Sequence, residues 1–427
     1  MRLFARGAAT ALLAALSLTA PGHVATAQDR GAEPRPGPAP LHLADEPLRG
    51  SYIVSLETGA TAAAVAQRAG VKARYTYDKA MRGFSARLSK EQLAAVRLVP
   101  GVAAVEEDSR VYVHRTPPER PPHSLPTVPS GLTDPEGRMG PTVRTGPVPL
   151  RSALAASWGL DRADQRKLPL DGKFAASATG KGATIYVVDT GIDYKHGEFG
   201  GRALYGFDSV GDGRRGRDCD GHGTHVAGTV GGATYGFAKQ ATLVSVRVLD
   251  CDGVGAWSGI IAGLDWVART AKPRAVLTAS LGGTKSPSVN AAADAVFARG
   301  VLPVIAAGNS ADDACRTSPA STPRVVTVGA VDRTDTEADF SNYGRCLDLY
   351  APGTEIVSAQ MGGGSTEMSG TSMAAPHVAG VAALYRGTHP DAAPKAVSDW
   401  LVNQATKSAI RSLSPGSPNR LLYAAGL

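Results

Sequence analysis

Three side chains of complementary chemistry occur in separate segments of this 427-residue chain. Asp189 ends the apolar run "YVVD", His222 stands between two glycines in "DGHGTHVAG", and Ser372 lies in "SGTSMAAPHVAG". A serine hydroxyl is a weak nucleophile until a neighbouring base takes its proton, and an imidazole oriented by a carboxylate is such a base. These residue types therefore indicate nucleophilic attack by Ser372 on a carbonyl group.

A fourth polar residue, Asn309, follows another apolar run in "IAAGNS". Negative charge develops on the carbonyl oxygen during such an attack, and a side-chain amide can donate a hydrogen bond to it. We expect Asn309 and the backbone N–H of Ser372 to be these donors. Gly370 permits a tight turn before the nucleophile, and Thr371 is expected to help cap the helix that follows. Ser369 is assigned no chemistry.

The two histidines of "HGTH" allow a different interpretation. His222 and His225 are three residues apart, and two such histidines can bind a metal ion, but the sequence has no "HExxH" segment beside them. We expect His225 and His377 to be hydrogen-bonded structural residues. A metallopeptidase that uses His222 and His225 remains an alternative.

Apolar runs that alternate with Gly- and Ala-rich stretches must position these side chains. "GIIAGLDWVART" and "VNAAADAVFARG" have the pattern of connecting helices. Residues 152–427 are therefore predicted to form an α/β domain with a doubly wound parallel sheet and helices on both faces. Ligands of such sheets bind outside the carboxyl ends of the strands. The expected buried strands are "ATIYVVD", "ATLVSVRVLD", "AVLTASLGG", "VLPVIAAGN" and "VVTVGAV".

A smaller module precedes this domain. Between residues 49 and 113 the pattern predicts a strand, a helix, two strands, a helix and a strand. This β-α-β-β-α-β order is typical of a small ferredoxin-like α+β domain. Residues 28–48 are expected to be a low-complexity segment, and the proline-rich residues 114–151 a disordered, cleavable linker.

The amino terminus indicates export. Arg2 and Arg6 precede an apolar stretch, and Ala25-Thr26-Ala27 supplies the small residues of a cleavage site. Residues 1–27 are therefore predicted to be a secretory signal peptide. No later segment is apolar for the length of a membrane span. We expect a secreted, extracellular protein with no membrane partner.

The charge distribution argues against nucleic-acid binding. The formal net charge is +7, but it is spread thinly, and the densest basic cluster is Arg214, Arg215 and Arg217. A nucleic-acid-binding protein usually carries a basic stripe or a long basic run. We therefore expect no nucleic-acid partner.

Four cysteines, Cys219, Cys251, Cys315 and Cys346, allow three pairings. An oxidising destination favours disulfides over metal thiolates. We expect the pairs in sequence order, Cys219 with Cys251 and Cys315 with Cys346.

Four segments together resemble a known family. "VVDTGID", "HGTHVAG", "AAGN" and "SGTSMAAPHVAG" occur in the order Asp, His, Ser and resemble the signature segments of the subtilisin-like serine proteases. The resemblance covers roughly residues 157–427, and "SWGLDRADQ", "SLGG", "FSNYG" and the cysteine spacing are similar to the proteinase K and aqualysin branch. The module at 49–113 resembles the inhibitor-type propeptide of these enzymes.

The resemblance implies an activity. The expected activity is that of a serine endopeptidase with an Asp189, His222 and Ser372 triad, broad specificity and an apolar or aromatic preference. It would act on polypeptides as a monomer without a catalytic cofactor. It would be made as a zymogen that processes itself, with its own propeptide as inhibitor and folding aid. A catalytically inactive relative that only holds peptides is the second alternative.

The resemblance also implies binding residues. Trp257 would frame an apolar subsite, although it could equally be an ordinary core tryptophan on a helix. A structural calcium ion would be bound by the Asp348 carboxylate and the carbonyls of Pro323 and Val325, since oxygen ligands suit this cation. The residues expected to line the peptide groove are Gly253, Trp257, Ser280, Leu281, Gly282 and Gly308.

Overall fold

The computed structural model describes residues 37–113, 153–424 and 426–427. The predicted signal peptide and the predicted linker at 114–151 lie outside the described residues. The α-helices are α1 Ala62–Arg68, α2 Lys90–Leu98, α3 Trp158–Asp164, α4 His222–Gly231, α5 Trp257–Thr270, α6 Pro287–Ala298, α7 Thr371–Thr388 and α8 Pro394–Gln404. The strands are β1 Leu41–His42, β2 Pro47–Leu56, β3 Ala73–Tyr77, β4 Gly83–Arg87, β5 Val102–Val113, β6 Ala153–Leu154, β7 Lys173–Phe174, β8 Thr184–Asp189, β9 Ala203–Asp208, β10 Thr242–Arg247, β11 Val254–Ala256, β12 Ala275–Ala279, β13 Leu281–Thr284, β14 Leu302–Ala306, β15 Thr317–Ser318, β16 Val326–Val331, β17 Leu349–Pro352, β18 Ile356–Ala359, β19 Ser365–Met368, β20 Thr406–Lys407 and β21 Arg420–Leu421.

The larger sheet has the strand order β20-β21-β17-β16-β14-β12-β8-β10-β9. Its central pairs, from β10 through β8, β12, β14 and β16 to β17, are all parallel. Strands β8, β12, β14 and β16 are buried along their whole length. Strands covered on both faces are continuously apolar, which is why these runs could be identified in the sequence.

Helices cover both faces of this sheet. Along β8, Ile185 and Val187 pack in one apolar core with residues of α4 and α7. Tyr186 and Val188, which point the opposite way, pack in a second core with residues of α5 and α6. The alternation follows from the two-residue repeat of a strand. The doubly wound α/β architecture predicted from the sequence is confirmed.

The predicted strand "AVLTASLGG" is divided into two strands. Residues 275–279 form β12 in the larger sheet, whereas residues 281–284 form β13, which pairs with β5 and β15. The chain changes sheets at Ser280, which is buried and donates a hydrogen bond from its hydroxyl to the carbonyl oxygen of Ser372 at 2.9 Å. An apolar run alone cannot indicate this change of partner.

The amino-terminal module has the order β2-α1-β3-β4-α2-β5, with antiparallel pairs β2–β5, β2–β4 and β3–β4. The predicted low-complexity segment at 28–48 is wrong at its carboxyl end, because β1 and the start of β2 lie within it. Leu41 and His42 pair with Val105 and Glu106 of β5, and β2 already begins at Pro47. These residues are ordered by backbone pairing with β5, and amino-acid composition alone does not indicate such pairing.

Strand β5 extends beyond its own module. Its first half pairs with β1 and β2, and its last residues lie between β11 and β13, antiparallel to both. The module is therefore joined to the larger sheet's domain through backbone hydrogen bonds of one twelve-residue strand.

Candidate active site

Asp189 and His222 meet at the carboxyl end of the larger sheet. Asp189 is the last residue of β8, and His222 is the first residue of α4. A hydrogen bond of 2.7 Å joins His222 Nδ1 to Asp189 Oδ1, and both residues are buried. Gly221, with φ +105°, makes the turn into the helix in a conformation that side-chain-bearing residues rarely adopt.

The electrostatic surroundings favour a charged imidazole. Burial opposes protonation of His222, but the charge and hydrogen bond of Asp189, together with the nearby Asp220 and Asp218 carboxylates, outweigh it. The pKa of His222 consequently lies above the ordinary value of a histidine. A base with this environment can hold the proton that it removes from another group.

Ser372 is the second residue of α7 and is fully buried. Its hydroxyl donates to the carbonyl oxygen of Ser280 at 3.2 Å, and the Ser280 hydroxyl donates to the Ser372 carbonyl in return. Val188 of β8 is paired with Ala279 of β12, so that Ser280 follows β12 at the level where Asp189 ends β8. The hydroxyl is therefore held close to the carboxyl ends of these two neighbouring strands.

Asn309 is held against the start of the same helix. Its side-chain oxygen Oδ1 accepts hydrogen bonds from the Thr371 backbone N–H at 2.9 Å and the Thr371 hydroxyl at 2.7 Å. The Thr371 hydroxyl also accepts the N–H of Gly308. The N-cap residue is Gly370, without a side-chain cap. The expectation that Thr371 helps cap the helix is thus wrong, because its hydroxyl is engaged in orienting Asn309.

His225 and His377 are buried and neutral. His225 Nε2 lies 2.9 Å from the carbonyl oxygen of Ile356, and burial lowers the pKa of His225 to about 3. His377 Nδ1 lies 2.7 Å from the carbonyl oxygen of Met373, and burial lowers the pKa of His377 to about 4. These contacts match the structural role that we expected for both.

The geometry does not favour the metallopeptidase alternative. His222 Nδ1 is bonded to Asp189, and His225 Nε2 is bonded to a backbone carbonyl. Within the described part of the chain, the one group of three metal-ligating side chains within reach of one another is Asp212, Cys219 and Cys251. The two sulfurs of that group are bonded to each other.

Strands β11 and β13 form the two sides of a groove that β5 occupies. Val113 of β5 is paired with Leu281, and Tyr112 is paired with Gly282. The N–H of Val113 donates to the carbonyl oxygen of Gly253 at 2.9 Å. The groove therefore binds an extended chain through backbone groups on both of its edges.

Trp257 lies beside this groove and belongs to the core. It begins α5, is almost completely buried, and packs in one apolar cluster with Val111 of β5, Leu249 and Leu281. Trp257 is therefore a core residue, as one of the two interpretations predicts. The same apolar cluster also contains Val111 of the strand in the groove.

The disulfides join Cys219 to Cys251 and Cys315 to Cys346, the pairs expected in sequence order. Cys219 lies three residues before His222, and Cys251 lies two residues before Gly253. The first bond therefore ties the loop that carries the histidine to the strand that forms one edge of the groove.

The surroundings of Asp348 fit a hard cation. Burial raises the pKa of Asp348 to about 6, and its Oδ2 accepts the N–H of Thr327 at 2.8 Å. Pro323 and Val325 lie in the segment that leads into β16, of which Thr327 is the second residue. The half-buried Asp348 carboxylate therefore lies next to the start of β16. Carboxylate and carbonyl oxygens are the ligands that calcium prefers, so these residues are suited to the ion.

Comparisons with known proteins agree with this fold. The model of the Subtilase family matches residues 180–421, and the model of the peptidase inhibitor I9 family matches residues 53–114. An extracellular serine proteinase of Thermus sp. (strain Rt41A) is 43% identical over 358 residues, which is 83% of this chain and 78% of that protein. A cuticle-degrading protease of Metarhizium anisopliae is 36% identical over 419 residues, 96% of this chain and 99% of that protein.

A solved structure of the same family is also similar to this chain. The crystal structure of a cold adapted subtilisin-like serine proteinase superposes with a TM-score of 0.62 at 48% identity, covering 64% of this chain and 99% of that chain. The chain belongs to the subtilase family. It is a subtilisin-like serine proteinase preceded by an inhibitor I9 propeptide, hereafter the propeptide. No helix in the described residues is both long and apolar enough to cross a membrane.

Proposed function

We propose that Asp189, His222 and Ser372 are the catalytic triad of a secreted serine endopeptidase. Ser372 Oγ attacks the carbonyl carbon of a peptide bond while His222 takes the hydroxyl proton and then gives it to the leaving amine. Asp189 orients the imidazole and stabilises its charged form. Water hydrolyses the acyl-enzyme by the same proton transfers. The buried 2.7 Å hydrogen bond between His222 Nδ1 and Asp189 Oδ1 carries this proposal.

Two features support Ser372 as the nucleophile. Its hydroxyl is held at the Ser280 carbonyl, beside the strand end that carries Asp189. His222 Nε2, the atom that would accept its proton, is buried and has no hydrogen-bond partner among the described residues. Since β5 fills the groove here, we assign this arrangement to the inhibited chain. We expect the Ser372 hydroxyl to turn to His222 when the groove is free for substrate.

The developing charge on the carbonyl oxygen would be stabilised by Asn309 and by the start of α7. Thr371 binds Asn309 Oδ1 twice, so the amide nitrogen must be directed away from Thr371. The backbone N–H of Ser372, in the first turn of α7, is the second donor, and the helix dipole favours an anion at that end.

Substrates would bind as β5 does, as the central strand between β11 and β13. Backbone pairing with Gly253 and Gly282 gives affinity that is independent of sequence. Val111 of β5 is fully buried in the apolar cluster with Trp257. This supports a preference for apolar side chains at the equivalent substrate position, while other positions tolerate many residues. The pocket for the substrate side chain next to the cleaved bond is proposed to be lined by Ala306, Ala307 and Gly308.

The same contacts support a zymogen in which the propeptide is the inhibitor. The end of β5 occupies both edges of the groove, so a polypeptide substrate cannot bind until β5 leaves. Val113, the last residue of β5, is opposite Leu281. Ser280, whose carbonyl holds the Ser372 hydroxyl, directly precedes Leu281. We therefore propose that the chain cuts itself shortly after β5, between His114 and Arg115, which lie outside the described residues.

The propeptide is also proposed to assist folding. Asp108 of β5 accepts the backbone N–H and the hydroxyl of Ser258, at 3.0 and 2.6 Å, in the first turn of α5. Glu106 accepts the N–H of Ser288 in the first turn of α6 at 3.2 Å. A carboxylate at a helix N-terminus accepts free N–H groups and complements the helix dipole. Each such contact stabilises the helix by about 1 kcal/mol.

Further properties follow from the family and are proposed with the triad. A calcium ion held by Asp348 and the carbonyls of Pro323 and Val325 would stabilise the loop before β16 without taking part in the reaction. Residues 1–27 would direct export to the extracellular medium, where relatives such as the Thermus proteinase are named as acting. The peptidase domain is proposed to be 152–427 and to act as a monomer. The propeptide domain predicted at 49–113 is proposed to include β1 and the whole of β2 as well.

A serine-directed phosphonate tests the proposal. The secreted enzyme should lose activity and acquire the label on the peptide that contains Ser372. A labelled residue elsewhere, or full activity after labelling is complete, would contradict the triad. The same reagent separates an active protease from an inactive relative, because only an activated serine reacts at a useful rate.

A further inference from the structure

The carboxylate of Asp218 is buried between the end of β8 and the start of α4. Its Oδ1 accepts the hydroxyl of Thr190 at 2.9 Å and the backbone N–H groups of Asp220 and Gly221 at 3.0 and 2.9 Å. Its Oδ2 accepts the backbone N–H of Thr224 at 2.9 Å and the Thr224 hydroxyl at 2.6 Å. One side chain thus accepts five hydrogen bonds from two different elements.

This carboxylate supplies the cap that α4 otherwise lacks. The N-cap residue is Gly221, which has no side chain to accept the free N–H groups of the first turn. Asp218, three residues earlier, accepts the N–H groups of Gly221 and Thr224. Asp218 therefore fixes the position of the start of α4, whose first residue is His222. Its negative charge also lies at the N-terminal end of the helix, which the helix dipole favours.

Thr190 connects the same carboxylate to the strand that carries Asp189. The Thr190 backbone N–H donates to Asp189 Oδ1 at 2.7 Å. The Thr190 hydroxyl donates to Asp218 and accepts the N–H of Gly223, in the first turn of α4, at 2.9 Å. Asp218 and Thr190 therefore close a ring of hydrogen bonds between the strand end and the helix start.

We infer that Asp218 is a positioning residue for the His222–Asp189 pair, acting with Thr190; this inference rests on the proposed function. The ring fixes the separation of β8 from α4, and the 2.7 Å bond between the imidazole and the carboxylate lies across that separation. Proton transfer is sensitive to such distances, and a displacement of 1 Å can cost about 100-fold in rate. Asp218 contacts neither substrate nor the reacting atoms in this role.

An amide cannot replace this carboxylate. All five groups that face Asp218 are donors, three backbone N–H groups and the hydroxyls of Thr190 and Thr224. The backbone N–H groups cannot be reversed, so the NH₂ of an asparagine would face at least one donor on whichever side it lies. The Asp218→Asn substitution keeps the shape of the side chain and breaks one side of the ring.

The neighbouring Asp220 provides a matched control, because it also contributes to the raised pKa of His222. Its Oδ1 accepts the backbone N–H of His222 at 3.1 Å, and the oxygen of an asparagine can accept the same hydrogen bond. Both Asp218→Asn and Asp220→Asn remove one negative charge near the imidazole, but only the first disrupts the ring. We expect both variants to move the acid limb of the kcat/KM profile to lower pH. We expect only Asp218→Asn to lower kcat by about 10- to 100-fold, with KM changed by less than about threefold.

Thr190 provides a second pair if Asp218→Asn yields no mature enzyme. Thr190→Val removes the hydroxyl at nearly constant volume, and Thr190→Ser retains it. The valine variant should lose kcat about tenfold, and the serine variant should remain within about twofold of the parent. Proton NMR of the mature enzyme adds a spectroscopic measurement, since the downfield resonance of the His222 Nδ1 proton should shift in Thr190→Val and Asp218→Asn and not in Thr190→Ser.

All rates are normalised by active-site titration, so that a lower yield of folded enzyme is not counted as a lower kcat. Equal kcat values for Asp218→Asn and Asp220→Asn would overturn the inference, as would equal values for the two Thr190 variants. These outcomes are distinct from a failure of the proposed function. In that case the parent enzyme itself would not be labelled at Ser372 by the phosphonate.

Discussion

The side-chain oxygen of Asn309 accepts two hydrogen bonds from Thr371, one from its backbone N–H at 2.9 Å and one from its hydroxyl at 2.7 Å. This pair fixes which way the amide nitrogen is directed. Asn309→Ala should lower kcat about 10²–10³-fold with little change in KM, the size of loss known for the equivalent donor in subtilisin. Steady-state kinetics of the titrated mature enzyme measures it.

Thr371→Val tests the same site by a smaller change than Asn309→Ala. It retains the backbone N–H to Asn309 and removes only the hydroxyl, so we expect a smaller loss of about tenfold in kcat. A normal kcat for Asn309→Ala would show that the charge on the carbonyl oxygen is stabilised elsewhere. A loss confined to KM would indicate a role in binding alone.

The capping contacts of the propeptide predict a defect in maturation. Asp108→Ala leaves the Ser258 N–H and hydroxyl without their acceptor at the start of α5. Loss of such a cap costs about 1–2 kcal/mol, which corresponds to a 5- to 30-fold weaker hold of the propeptide on the peptidase. The yield of active enzyme should fall, whereas kcat per titrated site should not change. The exposed Glu91, substituted by Gln, is the control.

The pH dependence follows from the charges around His222. The imidazole must be neutral to accept the Ser372 proton, so activity rises as pH increases through the pKa of His222. Burial lowers that pKa, but Asp189, Asp220 and Asp218 outweigh burial and raise it. The acid limb of kcat/KM should therefore lie above the ordinary histidine value of about 6.5. An acid limb well below that value would contradict the assignment of His222 as the base.

Calcium removal should affect stability and not chemistry. A chelator is expected to lower the unfolding midpoint by about 5–10 °C while initial rates at 25 °C stay unchanged. Burial raises the pKa of the ion-free Asp348 to about 6, so protons compete with the ion for this carboxylate more strongly as pH falls. The difference in midpoint should shrink as pH falls from 8 to 5, and Asp348→Asn should remove it. Immediate loss of activity with chelator would instead favour the metal chemistry of His222 and His225.

The sequence predicts those features that depend on local pattern. Strands such as β8 and β16 are continuous apolar runs because they are covered on both faces, and parallel strands bring their polar end residues, Asp189 among them, to one edge. The disulfides have the sequence-order pairing that we expected, which is one of the three that four cysteines allow. Contacts between distant residues leave no such pattern, because the partners are set by packing.

Two contacts illustrate what could not be predicted. Asp108 and Ser258 are 150 residues apart, and nothing local identifies Asp108 as the cap of α5. Threonine is a common helix-cap residue, but the Thr371 hydroxyl donates its hydrogen bond to Asn309, which is 62 residues away in the sequence. The change of sheet at Ser280 is invisible for the same reason, since it depends on β5 lying beside β13.

Self-cleavage is the most direct measurement of the central claim, that Ser372, activated by His222 and Asp189, breaks peptide bonds including one in its own chain. The full-length protein and its Ser372→Ala variant would be expressed in parallel, and the intact masses and amino-terminal sequences of the products determined. We predict a first cut that leaves Arg115 at the new terminus of the parent chain, and an uncut Ser372→Ala chain. A Ser372→Ala chain that cuts itself at the same bond would contradict the account.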